Sequence, residues 1–160
     1  MGSTLSPELM WTGYPEGPAI AASTVDIGDY LDCNGSRGIN AIVVATTQYG
    51  SSSDEQLAAS LEATMKDWGN QGLGIRWISL LLDDPGEGPP SAAGAKQWKD
   101  TWGLDSVAVC ADPGASMVSG GAVGTPMLTI VDPRTMQIVS VEESFDGDFS
   151  AVIALAQSNM

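Results

Sequence analysis

Ile39 to Thr46, Ile75 to Leu82 and Ser106 to Cys110 are three short runs rich in Ile, Val, Leu and Ala, each long enough for a buried strand. Between the first two, Leu57, Leu61, Met65 and Trp68 recur at spacings of four, four and three, which puts one apolar stripe on a helix. Ser53 reads as its N-cap, with Gln56 three residues on completing a capping box. Asp54 and Glu55 suit the positive end of the helix dipole, and Gly69-Asn70 reads as the stop. Between the second and third runs, a loop from Asp83 to Pro90 leads into a helix over about Ser91 to Trp102, ended by Gly103. Strands alternating with helices in this way make a parallel sheet core.

Two more strands follow. Met127 to Val131 turns at Asp132-Pro133 into Gln137 to Val141, close enough to pair as a hairpin and add an antiparallel edge. A last helix is expected from about Asp148 to Gln157, with Phe149, Val152, Ile153 and Ala156 facing inward. The Pro- and Gly-rich start reads as irregular, so we expect an arm at residues 1–16 and one α/β domain at 17–160. A chain of 160 residues has room for one such domain with a substantial core.

Composition excludes much chemistry. The chain has no His, which removes the usual general base, the commonest zinc ligand and every Ser-His or Cys-His pair. Its two cysteines, Cys33 and Cys110, are far apart and form no Cys-x-x-Cys, so neither a classical zinc site nor any other metal or cofactor site is expected. A formal charge of −14, with six Lys and Arg, argues against nucleic acid or an anionic membrane surface as partner. Asp83, Asp84 and Glu87 lack the spacing of a calcium loop. No apolar run approaches the roughly 18 residues that cross a bilayer. No signal peptide is visible at Met1-Gly2-Ser3-Thr4, which leaves a cytosolic chain or one that begins after a removed leader.

With this element order, the stretch Val123-Gly124-Thr125-Pro126-Met127-Leu128-Thr129-Ile130-Val131-Asp132-Pro133 resembles the thioredoxin-fold redoxins of the TlpA-like type, bacterial thiol–disulfide oxidoreductases. The resemblance covers about Gly17 to Leu155. It implies a thioredoxin-like α/β fold, a central mixed sheet flanked by helices, and a cis-proline at Pro126. It also implies export, with a periplasmic location favoured over the cytoplasm. Pro126 has no N–H, so the resemblance further implies that the carbonyl and N–H of Thr125 face whatever docks there.

The same resemblance locates the active site between the first core strand and the helix after it, where an aromatic residue precedes Cys-x-x-Cys. Here that stretch is Tyr49-Gly50-Ser51-Ser52-Ser53, so the two cysteine positions fall on Gly50 and Ser53, and Tyr49 keeps the aromatic place. A thiolate there would gain from the helix N-terminus. Gly has no side chain, and a Ser hydroxyl without a base forms no disulfide. Thr47, three before Gly50, is similarly placed to the Thr-x-x-Cys of peroxiredoxins, and that reading loses its cysteine at the same residue. On this resemblance the chain is a natural degenerate domain, an engineered inactive form or a computed sequence on this fold.

Three roles remain open. The first is a redox-inactive module whose cleft, from Tyr49 to Ser53 and at Thr125-Pro126, binds an extended protein or peptide segment. The second is a thiol enzyme using Cys110, with or without Cys33. The third is an interaction module of an exported lipoprotein. Cys110 ends a core strand on the side where such sheets place their sites, whereas Cys33 precedes the first core strand, so two unbridged, buried or half-buried thiols are expected. Trp68, Trp77, Trp98 and Trp102 read as core; Trp11 and Tyr14, in the arm, read as exposed aromatic contacts. Met117 and Met127, near Pro126, offer at most a soft-metal pair.

Overall fold

The computed structural model describes residues 2–160. Its seven strands are β1 (Met10–Tyr14), β2 (Ser23–Asp26), β3 (Ala41–Thr47), β4 (Ile75–Leu81), β5 (Ala108–Ala111), β6 (Met127–Val131) and β7 (Ile138–Glu142). Its α-helices are α1 (Ser52–Asn70), α2 (Ala92–Trp102) and α3 (Ser150–Ser158). One mixed sheet runs in the order β2-β1-β5-β4-β3-β6-β7. The pairs β3–β4 and β4–β5 are parallel, as the alternation of strands and helices requires. The pairs β3–β6 and β6–β7 are antiparallel, which places the expected hairpin at one edge.

Every residue of β3 is buried, because the strand is central and both faces of the sheet are covered. On one face pack Ala58, Leu61, Met65 and Trp68 of α1, Ala95 and Trp98 of α2, and Val152 and Ala156 of α3. Trp77 of β4 is fully enclosed there, and Phe149 meets Trp68 edge-on at 4.9 Å between ring centres. Among the described residues no α-helix packs on the other face. Trp11 of β1, Val25 of β2 and Ile27, in a short 3-10 turn, pack there against Ile42, Val44, Ile78, Leu80 and Cys110.

Here the structure departs from the sequence expectation. Residues 10–14 are not an irregular arm but a strand, paired antiparallel with both β2 and β5. Without β1 and β2 the back of the sheet would lie open, and burial of Trp11 and Val25 is what draws the segment in. Two helix ends also differ. The cap of α1 is Ser51 rather than Ser53, and its side chain makes no capping hydrogen bond. The helix runs through Gly69-Asn70 and turns off at Gly72, whose φ of +71° a glycine adopts without strain. The end of α2 is as expected: Gly103 takes the left-handed conformation and its N–H returns to Lys99.

Candidate functional site

The parallel strands deliver the loop after β3 and the start of α1 to one end of the sheet, beside the segment that enters β6. Thr125-Pro126 is a cis peptide, and Pro126 is buried. The Ser53 hydroxyl donates to the Thr125 carbonyl at 3.3 Å and lies 3.1 Å from the Ser51 hydroxyl. Gly50 is exposed with φ +74°, and a Cβ placed on it would meet nothing within 4 Å. The structure therefore sets Ser53 against Thr125, with Gly50 just before α1 and Pro126 just before β6 on either side of that contact. Beyond Ser53 the cleft continues as a groove of about 450 Å³ between Gln56, Leu57 and Ser60 of α1 and Phe145, Asp146 and Phe149.

Tyr49 sits at the edge of this group and turns inward. Its ring meets Trp98 edge-on at 4.9 Å, and its hydroxyl donates to the Gly94 carbonyl at the start of α2. Burial, with Asp84 nearby, pushes the phenol up to about 12, so it serves as a neutral donor. The Tyr49 N–H is held by Asp83 Oδ1 at 2.8 Å. Asp84 accepts from the Ser91 N–H at 2.9 Å and from the Ser91 hydroxyl, fixing the start of α2. These two carboxylates, read from sequence as part of a loop without calcium-loop spacing, hold Tyr49 and the start of α2 in place.

Sequence reasoning missed Asp54, which it assigned to the helix dipole alone. The residue is 1 % exposed, its Oδ2 accepts from the Thr125 hydroxyl at 2.8 Å, and its Oδ1 has no hydrogen bond among the described residues. Burial pushes its carboxyl above the ordinary range, against the pull of hydrogen bonds from Ser51, Thr125 and Gln48. The folded protein thus holds this proton more tightly than the unfolded chain does. Stability then falls as pH rises from the ordinary carboxylate value through the raised folded one, and the loss is complete above it. Asp54→Asn keeps an oxygen for Thr125 and removes that loss. We expect a higher melting temperature at neutral pH and no difference in strong acid, each pH unit of displacement being worth about 1.4 kcal/mol. Equal offsets at both pH values would remove the proton from this account.

The thiols stand apart from the cleft and from each other. Cys33 is exposed, not buried or half-buried as expected, and Cys110 is fully buried; both are free. Burial pushes the Cys110 thiol up to about 12, which keeps it protonated and disfavours the nucleophilic thiolate. Trp11 and Tyr14 are buried rather than exposed, because β1 is part of the sheet. Trp68, Trp77 and Trp98 are core as read, while Trp102 is half-buried. Met127 is buried and Met117 packs against the back of the sheet; no three His, Cys, Asp or Glu side chains among the described residues group to hold a metal ion.

No family model matches the sequence, and no curated protein does. Solved structures do match. A hypothetical protein from Sinorhizobium meliloti is 14 % identical over 98 % of this chain and 85 % of its own, with a TM-score of 0.67. A thiol:disulfide interchange protein of the thioredoxin family from Chlorobium tepidum is 13 % identical over 98 % and 99 %, with a TM-score of 0.62. An uncharacterized thioredoxin-like protein from Porphyromonas gingivalis is 17 % identical over 92 % and 93 %, with a TM-score of 0.57. At these identities the likeness is one of fold.

Proposed function

We propose that this thioredoxin-fold chain is a redox-inactive relative of the thiol–disulfide oxidoreductases that uses its cleft to hold an extended polypeptide segment. One observation carries the reading. The Gly124 carbonyl accepts from the Ser144 N–H at 2.8 Å, and the Pro126 carbonyl accepts from the Phe145 N–H at 2.9 Å. Among the described residues Thr125, between them, donates no backbone hydrogen bond, and its carbonyl takes only the long contact from Ser53. One edge of this segment is thus satisfied while Thr125 offers a donor and an acceptor to a visiting strand, the geometry of β-addition.

The side chains suit binding without exchange. Two hydroxyls, Ser51 and Ser53, occupy the helix start, and no thiol lies in the cleft. Leu57, Phe145 and Phe149 supply apolar contact along the groove for side chains of the visiting segment. The test uses a reduced, carboxymethylated unfolded protein as probe, with binding read by calorimetry. Thr125→Pro removes the free N–H, and Gly50→Trp blocks the open side. Each should weaken binding by about tenfold or more, the loss of one or two backbone hydrogen bonds plus their desolvation. Unchanged affinity in both variants would sink the reading.

A further inference from the structure

A second cavity, of about 450 Å³, lies between β1, the start of α2 and the loop after β5, and shares no lining residue with the cleft. Its walls are largely apolar, with Met10, Trp11, Pro90, Ala92 and Pro113 among them. One ionisable side chain lines it, Asp112, which is 3 % exposed. Asp112 Oδ2 accepts from the Ser116 N–H at 2.9 Å and the Ser116 hydroxyl at 3.1 Å, and that hydroxyl accepts from Trp11 Nε1 at 2.9 Å. Oδ1 takes no hydrogen bond from a described residue and, unlike Asp54 Oδ1, is not sealed from the cavity side, and no Lys or Arg pairs with Asp112 among the described residues. Buried carboxylates are ordinarily paired, because an uncompensated one loses its hydration for nothing. Burial indeed lifts the Asp112 carboxyl above its ordinary range, and no cation opposes the lift.

From the unpaired Asp112 oxygen in an apolar cavity of ligand size, we infer that this pocket binds a small organic ammonium ion carrying an apolar chain or ring. The ammonium donates to Oδ1 and supplies the missing countercharge. The apolar part lies against Trp11, Pro90 and Pro113. The Trp11–Ser116–Asp112 chain holds the carboxyl in place, so that Oδ2 is committed to the protein and Oδ1 to the ligand. Charge favours the same occupant, since the chain as a whole carries −14 and repels anions. The site does not depend on the reading of the Thr125 cleft, and either can fail without the other.

The experiment titrates the intact protein with 2-phenylethylamine, 2-phenylethanol and 3-phenylpropionate, following the backbone amides of Thr12, Gly114 and Ser116 and the Trp11 indole N–H by NMR. The amine should shift these signals, the alcohol should bind about ten- to a hundredfold more weakly, and the carboxylate should not bind. Asp112→Asn keeps an oxygen for Ser116 and should bring the amine down to the level of the alcohol. Ala92→Phe, a change at the half-buried rim, fills the cavity while leaving Asp112 intact and should abolish binding of both. An amine that shifts none of these signals overturns the inference. So does one that binds no better than the alcohol, or equally well to Asp112→Asn.

Discussion

Insulin reduction by dithiothreitol will run at its uncatalysed rate with this chain, and a Gly50→Cys/Ser53→Cys variant will accelerate it by about an order of magnitude or more. Positions 50 and 53 flank the start of α1. Position 50 precedes α1 by two residues and is open to solvent; position 53 lies against the Thr125 carbonyl. A thiolate at position 50 attacks one sulfur of an insulin disulfide, breaking that bond, expelling the first insulin thiolate and forming a mixed disulfide with the other half. The thiol at position 53 then attacks that bond, releasing the insulin thiol and leaving an intramolecular disulfide that dithiothreitol reduces. The left-handed backbone at Gly50 costs a Cys there about 1–2 kcal/mol, too little to unfold a domain of this size.

Asp54 sets how good a catalyst the double variant is. The α1 N-terminus lowers the pKa of a thiol at position 50, but the carboxyl buried one residue past position 53 raises it to the extent that it is ionised. The double variant should therefore be a sluggish catalyst at neutral pH, and adding Asp54→Asn should speed it. Turbidity followed with each variant reads this directly. If the double variant forms its disulfide yet stays at the background rate, the cleft does not admit a polypeptide, and the binding reading falls with it. If the unaltered chain exceeds background, the chemistry belongs to Cys33 or Cys110.

The parallel core and its closing hairpin were legible because period and punctuation agree there. Leu57 to Trp68 has helical spacing, β6 is bounded by Pro126 and Asp132-Pro133, and Gly103 ends α2. The cleft was legible through the same order of elements, which puts the start of α1 opposite Thr125. What the sequence hid depends on partners distant along the chain. Asp54 looks like any acidic residue in a first helical turn, and only the approach of Thr125, 71 residues away, buries it. Asp83 and Asp84 sit among Gly and Pro, so nothing local shows that they grip Tyr49 and Ser91. Residues 10–14 hold the strand-favouring Trp11, Thr12 and Tyr14 but lie in a Pro- and Gly-rich start, and their pairing with β5 comes from nearly 100 residues along the chain.

That pairing rests on a glycine, which leads to the second large effect: Gly13→Val should detach β1 from the sheet. Gly13 stands opposite Cys110, and a Cβ on it would fall 2.3 Å from the Val109 carbonyl oxygen and 2.5 Å from Cys110 Cα. Both are backbone atoms of a buried strand, so no rotamer change relieves the overlap. The strands must part, uncovering the back of the sheet where Trp11 and Val25 now pack, at a cost of about 4 kcal/mol or more. The helical face contains none of these residues in β1 or β2 except Tyr14, so α1 to α3 should persist and keep their circular dichroism. Thiol reactivity then reports the event. In the unaltered protein an aromatic disulfide reagent should label exposed Cys33 and leave Cys110 closed; in Gly13→Val it should label both without denaturant. Retained helix signal with Cys110 still closed would mean that β5 can shift to admit the side chain, and that the N-terminal hairpin is held by its apolar contacts rather than by the close approach at Gly13.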